Sequence, residues 1–335
     1  LLVLGAGLGL GIMGLFWFGL GLLGRFQPAV AYGVTLALTL LVAPQFWRLF
    51  RRWRRWQPAN PPPRWTVFYL AVMGLLTLLV AVLPPTDWDG LFYHLTGPKL
   101  YLHAGQIVGG LDVPHFNFPS LMEMLFAWGM LLRNDVTAKL LHTSFGLLLA
   151  GLVYISTRRL LGQRAAWPAL IILVSMPMLA TLAGWAYNDL ALAFYQFGSL
   201  YTIIRWGLVG PDTSPADARS AASDALPEAI VADEQAPAPD PEPARFARLY
   251  PYRWLLLSAV FSGLAMGLKY TSFVTPLLIV LLILWFGRRP GPAARRLKDV
   301  VIFVAVAGLV ALPWYAKNWA YTGNPVYPFL SGLFG

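Results

Sequence analysis

The sequence predicts an all-α protein, a polytopic bundle of about nine transmembrane helices, and three observations carry that prediction. The 335 residues are 58% hydrophobic and 12% charged, with a mean hydropathy of +0.60, where a soluble domain carries about 25% charged residues. Apolar runs recur along the chain, each near the roughly 20 residues that cross a bilayer as a helix. The basic residues cluster in short loops between those runs, which is the positive-inside pattern. Spanning strands would alternate polar and apolar residues, and these runs do not.

The expected spans are approximately 2–24, 28–49, 65–84, 135–157, 166–184, 187–206, 253–269, 272–287 and 299–316. Residues 1–50 hold an N-terminal hairpin, and 51–206 hold a membrane core with a large outer loop at 84–134. Residues 207–250, rich in Pro, Ala, Asp and Glu, read as a disordered acidic cytoplasmic linker that cannot bury a core. Residues 251–335 continue the membrane core. The chain opens on Leu1 and Leu2 inside an apolar run, without Met or a basic leader. We therefore expect the true N-terminus to be missing and do not read the run as a signal peptide. Gly5, Gly7, Gly9 and Gly11 sit in that run as helix-packing residues rather than as a nucleotide loop.

Nine spans place Arg51 to Arg55, Arg158, Arg159, Arg164, Arg205, Arg253, Arg295 and Arg296 on one side, which makes that side and the N-terminus cytoplasmic. The net charge of +10 then belongs to membrane topology, and no nucleic-acid partner is expected. The chain has no cysteine, so no disulfide forms and the redox compartment stays open.

Outside the linker there are seven acidic residues. Asp87, Asp89, Asp112, Glu123, Asp135 and Asp189 fall on the outer side, and only Asp299 falls on the other. A carboxylate in so apolar a chain is costly unless it meets water, a cation or a substrate, so the outer face is where chemistry is expected. Pro84-Pro85 should end the third span. Thr86 or Asp87 can cap a helix running through Lys99, with a bend at Gly97-Pro98. On that helix Asp89 and Tyr93 share a face, and His94 follows. The apolar stretch 117–133 reads as an amphipathic helix lying at the outer interface, with Trp128 in the interfacial zone. Asp189, Lys269, Tyr270 and Lys317 close other spans at the same level. Carboxylates suit proton abstraction or a divalent cation, lysines suit a phosphate, and aromatic rings suit a sugar or the bilayer interface. His94, His103, His115 and His142 lack a zinc-ligand spacing. Lys139 and His142 read as snorkelling or interhelical groups.

These residues resemble a family. Asp87-x-Asp89-x-Leu-x-Tyr-His94, Pro98-Lys99-x-Tyr101, Gly105-x-Ile107 and Asn117-x-Pro119 with Glu123 resemble the first periplasmic loop of class C (GT-C) membrane glycosyltransferases. The closest likeness is to bacterial relatives of the family 39 protein O-mannosyltransferases and to the lipid A aminoarabinose transferase. Tyr187-Asn-Asp189, Gly263 to Tyr270, and Pro313-Trp-x-x-Lys-Asn318 through Pro328 continue it in order over residues 65–335. The resemblance implies transfer of a sugar from a polyprenyl-phosphate carrier to a glycan, lipid or protein acceptor at the periplasmic face of a bacterial inner membrane. It implies Asp89 as general base or metal-assisted activator and Asp87 and Asp189 as further catalytic carboxylates. Asp89 and Asp189 are the candidates for a divalent cation. Tyr93, His94, Lys99, His115, Asn117, Glu123, Lys269, Tyr270 and Lys317 become candidates for substrate or carrier binding. The family's Lys-Pro-Pro appears here as Asn117-Phe118-Pro119, and relatives continue beyond the ninth span, so a truncated C-terminus is expected. A non-catalytic membrane subunit and a secondary transporter remain the rival readings. A transporter would carry its ionisable residues at the bilayer midplane, whereas here they lie at span ends.

Overall fold

The computed structural model describes residues 2–55, 61–111, 113–209, 252–286 and 293–334. The expected linker and Asp112 thus lie almost wholly outside the described residues. Among those described, the fold is all helical with no strand. The long elements are α1 (Leu2–Leu22), α2 (Pro28–Arg55), α3 (Arg64–Val82), α6 (Asp135–Leu161), α9 (Asp189–Val209) and α12 (Ala293–Thr322). Shorter ones are α4 (Thr96–Ala104), α5 (Leu121–Leu132), α7 (Gln163–Val174), α8 (Pro177–Gly184), α10 (Arg253–Met266), α11 (Val274–Phe286) and the terminal turn α13 (Ser331–Phe334).

Every expected span is helical, but the count of nine is not met by length and composition. Among the described residues five helices are long and apolar enough to cross a membrane, or six if α7 and α8 form one span bent by 60°. The break has a local cause: Met176 precedes Pro177, takes extended angles, and a residue before proline disfavours the helical region. Of the other three segments, α9 is long but carries Gln196, Ser199, Thr202 and Arg205, while α10 and the Tyr270–Phe286 run have only 14 and 17 residues.

Much of α2, α3 and α11 leaves its large apolar side chains exposed, among them Leu36, Leu40, Phe46, Leu75, Leu79, Leu277 and Leu281. Apolar area on this scale marks a lipid-facing surface. Inside, α10 packs between α9 and α12. Ser199 on α9 exchanges hydrogen bonds with Ser258 (3.0 Å) and Ser262 (2.8 Å) on α10, the interhelical polar contact that suits an apolar environment. Tyr195 donates to the Gly7 carbonyl at 2.8 Å and ties α9 to α1.

The α5 segment corrects the expectation of an interfacial helix. Seven consecutive residues, Leu121 to Ala127, and Gly129 are buried, and α5 packs against α1, α2, α4 and α6. A helix covered on every side belongs inside the bundle. Trp128 donates to Thr35 at 3.1 Å and stacks on Trp17 rather than meeting a bilayer surface.

The outer loop also differs in detail. Val82 ends α3 just before Pro84, as expected. Asp87 caps nothing: both of its carboxylate oxygens are buried without a hydrogen-bond partner, and they fill the space that a side chain at residue 90 would need, which accounts for Gly90. The chain makes a π-helical turn at Gly90–His94 and enters α4, so the irregularity falls at Leu95 instead of Gly97-Pro98. Pro98 sits in the first turn of α4, where a missing N–H costs no helical bond. Gly105 (φ 72°) ends α4 in the left-handed conformation. Ile107 N–H then donates to the Gly21 carbonyl at 3.0 Å, anchoring the loop to α1.

The glycines of α1 divide. A Cβ on Gly7 or Gly11 would meet Phe194 or Leu264, whereas Gly5 and Gly9 face open space, which corrects their packing role. Among the described glycines, Gly263 brings helix backbones close together, since a Cβ there would sit 2.5 Å from the Ala307 carbonyl oxygen of α12. Gly263→Ala is expected to destabilise the bundle by about 1–3 kcal/mol while Gly9→Ala leaves it unchanged. Thermal unfolding of the purified variants in one detergent checks this, and equal midpoints would refute it.

Candidate functional site

The C-terminal ends of α1, α3, α8, α10 and α12 and the N-terminal ends of α5, α6 and α9 meet at one end of the bundle. Their free main-chain groups are satisfied across elements, as buried polar groups must be. Lys139 donates to the Leu83 carbonyl at 2.7 Å, just past the end of α3. His142 lies 3.0 Å from the Trp185 carbonyl through Nδ1 and accepts from Leu190 N–H at 3.1 Å through Nε2. Both side chains thus serve as interhelical groups. Leu121 N–H donates to the Gly267 carbonyl at 2.9 Å, and the Asn188 amide donates to the Leu268 carbonyl at 3.1 Å.

A cavity of about 170 Å³ opens at this end. Its walls include Tyr93, Tyr101, His115, Phe118, Glu123, Asn188 and Lys269. Its back is a buried pair, with His94 Nδ1 lying 2.6 Å from Glu123 Oε1; His94 is 1% and Glu123 8% exposed. The π-helical turn delivers both Tyr93 and His94. Tyr93 stacks on His115 (4.6 Å between centroids) and donates to Asp89 at 3.4 Å. Burial, together with the charges of Asp89, Glu123 and Asp189, pushes the Tyr93 hydroxyl up past the usual phenol range, so it stays a donor. Tyr187, packed 5.5 Å from the His94 ring, is raised by burial and by Asp89 in the same way. Lys269 reaches Asp189 at 3.2 Å, and Asp189 lies in the first turn of α9 where the helix dipole favours an anion. Asn318 donates to the Tyr270 hydroxyl at 2.8 Å, and Tyr270 donates to the Tyr327 carbonyl at 2.9 Å, which fastens the C-terminal segment beside Phe118.

Of the expected site residues, Tyr93, His115, Glu123 and Lys269 line the cavity. Asp89, His94, Asp189 and Tyr270 hold those lining residues or their neighbours. The others fall outside the lining. Lys99 is half exposed and pairs with Asp135 at 2.6 Å, outside the cavity lining. Lys317 is buried with its Nζ 3.4 Å from the Asn117 carbonyl, so these two residues meet each other. Asp87 lies beneath the π-helical turn at Gly90. Asp89 and Asp189 gather no third ligand: among the described residues no group of three or more His, Asp or Glu could hold a metal ion.

Tyr101, Tyr187, Asn188 and Asn318 stand in the motifs that carry the resemblance but are not among the expected site residues. Each lies in or beside the aromatic-polar stretches at the span ends, but nothing in the spacing distinguishes them from interface anchors.

No family model matches the chain, and no solved structure matches it. Among curated proteins it is similar to an uncharacterized protein of Shigella flexneri, with 25% identity over 191 residues that cover 55% of this chain and 94% of that protein.

His94→Ala would leave the Glu123 carboxylate buried with no partner. The expected loss of stability is about 1–3 kcal/mol, with much of it recovered in the double variant His94→Ala/Glu123→Gln, which buries no lone carboxylate. Lys99→Ala, at an exposed ion pair, should change stability by less than about 1 kcal/mol. Thermal melts of the four proteins test the order, and a His94→Ala midpoint equal to that of Lys99→Ala would contradict it.

Proposed function

We propose that the chain is a membrane glycosyltransferase that moves a sugar from a polyprenyl-phosphate carrier to an acceptor hydroxyl at the outer, periplasmic face of a bacterial inner membrane. One observation carries this reading. A carboxylate (Glu123), a lysine (Lys269) and stacked aromatic rings from four segments far apart in sequence line one cavity at one end of an apolar bundle, and Asp89 and Asp189 hold Tyr93 and Lys269 at its wall. A lipid-linked polar substrate would present its phosphate and sugar at that level while its chain stays among the exposed apolar faces.

The transfer breaks the bond between the sugar's anomeric carbon and the carrier phosphate, which leaves with the electron pair. It forms a bond from that carbon to the acceptor oxygen, whose proton passes to a carboxylate. Asp89 is the proposed base: it is partly accessible and is oriented by Tyr93. Lys269 is the proposed partner of the phosphate, because a developing negative charge is best met by a fixed cation. Its salt bridge to Asp189 keeps its ammonium at the cavity wall. A transporter is less well supported, since the acidic groups and Lys269 sit at helix ends, while the interior contact of α9 and α10 is made by uncharged serines.

Asp89→Asn keeps the side chain's shape and is expected to lower transfer by about 10²–10⁴-fold with expression and carrier binding retained. Full turnover by this variant would remove Asp89 from catalysis. Lys269→Ala is expected to weaken carrier binding in the folded protein, as measured by retention of radiolabelled polyprenyl phosphate. For sidedness, a cysteine at His103 should react with an impermeant reagent added to intact cells and one at Leu161 should not. Labelling of both from outside would reverse the topology.

A further inference from the structure

The cavity leaves polar atoms unpaired in a pattern. Glu123 Oε1 is taken by His94, while Glu123 Oε2 is buried without a partner. The Asn188 amide nitrogen is taken by the Leu268 carbonyl, which fixes the amide and leaves its Oδ1 buried and unpaired. His115 Nδ1 is unpaired as well, on a ring stacked against Tyr93. Buried polar atoms in native proteins are rarely left without partners, and here three of them belong to residues that line one cavity. Two of the three are oxygens, one of a carboxyl group and one of an amide carbonyl, that can take a hydrogen bond from a hydroxyl.

We propose that this cavity is the subsite for a neutral, hydroxyl-bearing six-membered sugar ring, and that Glu123 is its specificity-determining residue. The proposal deepens the transferase reading, on which it rests only for assigning the ring to the donor. Ring hydroxyls would donate to Glu123 Oε2 and Asn188 Oδ1, and the apolar face of the ring would lie along the Tyr93, His115 and Phe118 side chains. At roughly 30 Å³ per water in the liquid, the 170 Å³ space holds about six waters, room enough for one sugar ring. His94 acts as a positioning residue, holding Glu123 so that one oxygen is consumed and the other faces the ring. The same arrangement selects against a carboxylated ring. A uronate would bring its negative charge against Glu123, and the cation at the wall, Lys269, is held by Asp189 and assigned to the carrier phosphate. Like charge in a confined site is a strong repulsive element.

The test uses the full chain in nanodiscs of uncharged lipid and two probes that differ only at the sixth carbon, methyl α-glucopyranoside and its uronate. Saturation-transfer NMR titration of the unaltered protein should show the neutral ring binding at least about tenfold more tightly, the loss expected when a charge-assisted hydrogen bond is replaced by repulsion. In the folded Glu123→Gln variant the neutral ring should weaken about tenfold and the gap to the uronate should narrow. His94→Asn should weaken the neutral ring in the same direction, with circular dichroism unchanged. Equal binding of both probes by the unaltered protein would overturn the proposal whatever the variants do, as would undiminished neutral-ring binding in Glu123→Gln. Carrier-dependent transfer is measured in parallel. Turnover with no preference for the neutral ring would overturn the subsite and leave the transferase standing. Neutral-ring preference with no turnover on any carrier would support the subsite and remove the transferase.

Discussion

The constraint on which the rest of the structure depends is the cost of leaving a polar group unpaired at the end of an apolar bundle. Helix termini carry main-chain groups with no partner of their own, and lipid supplies none. At the acidic end these groups are closed by side chains and by other helices. Lys139 takes a carbonyl beyond α3, His142 bridges Trp185 and Leu190, and Asn188 takes the Leu268 carbonyl. Leu121 N–H is matched to Gly267 at the end of α10. The helices are therefore held at fixed relative heights by their ends, while close glycine contacts such as that of Gly263 fix their lateral spacing.

The closure is not complete: buried side-chain atoms without partners remain at several places, Asp87 among them, and three of them, Glu123 Oε2, Asn188 Oδ1 and His115 Nδ1, belong to residues that line the cavity. Each is fixed by a second interaction, so none can turn away to satisfy itself. A site built this way is preorganised, and its ordering cost is met on folding rather than on binding. The same logic separates Glu123, pinned by His94 inside the bundle, from Lys99, whose exposed pair with Asp135 lies outside the cavity lining.

The π-helical turn at Gly90–His94 links fold to site. A regular helix cannot present two adjacent side chains to one direction, and the wider turn lets Tyr93 face Asp89 and His115 while His94 reaches Glu123 in α5. Such turns are frequent at functional sites. Asp87 belongs to this feature too, because its carboxylate fills the space beneath Gly90.

The sequence by itself determined the helical class, the position of nearly every helix and the gathering of acidic residues towards one end, because apolar run length and flanking charge are local signals. It also pointed to Tyr93 with Asp89, a pair four residues apart on one helix. Only the tertiary structure decided the burial of α5, since an apolar 12-residue run reads alike whether it meets lipid, interface or protein. The meeting of His94 with Glu123, and of Lys269 with Asp189, was likewise beyond the sequence. These partners lie 29 and 80 positions apart, and no periodicity reports a contact made by helices packing at their ends. The span count divided between the two: hydrophobicity marks a segment as apolar, but whether a short or polar segment such as α9 or α10 sits deep in the bundle is settled by the helices around it.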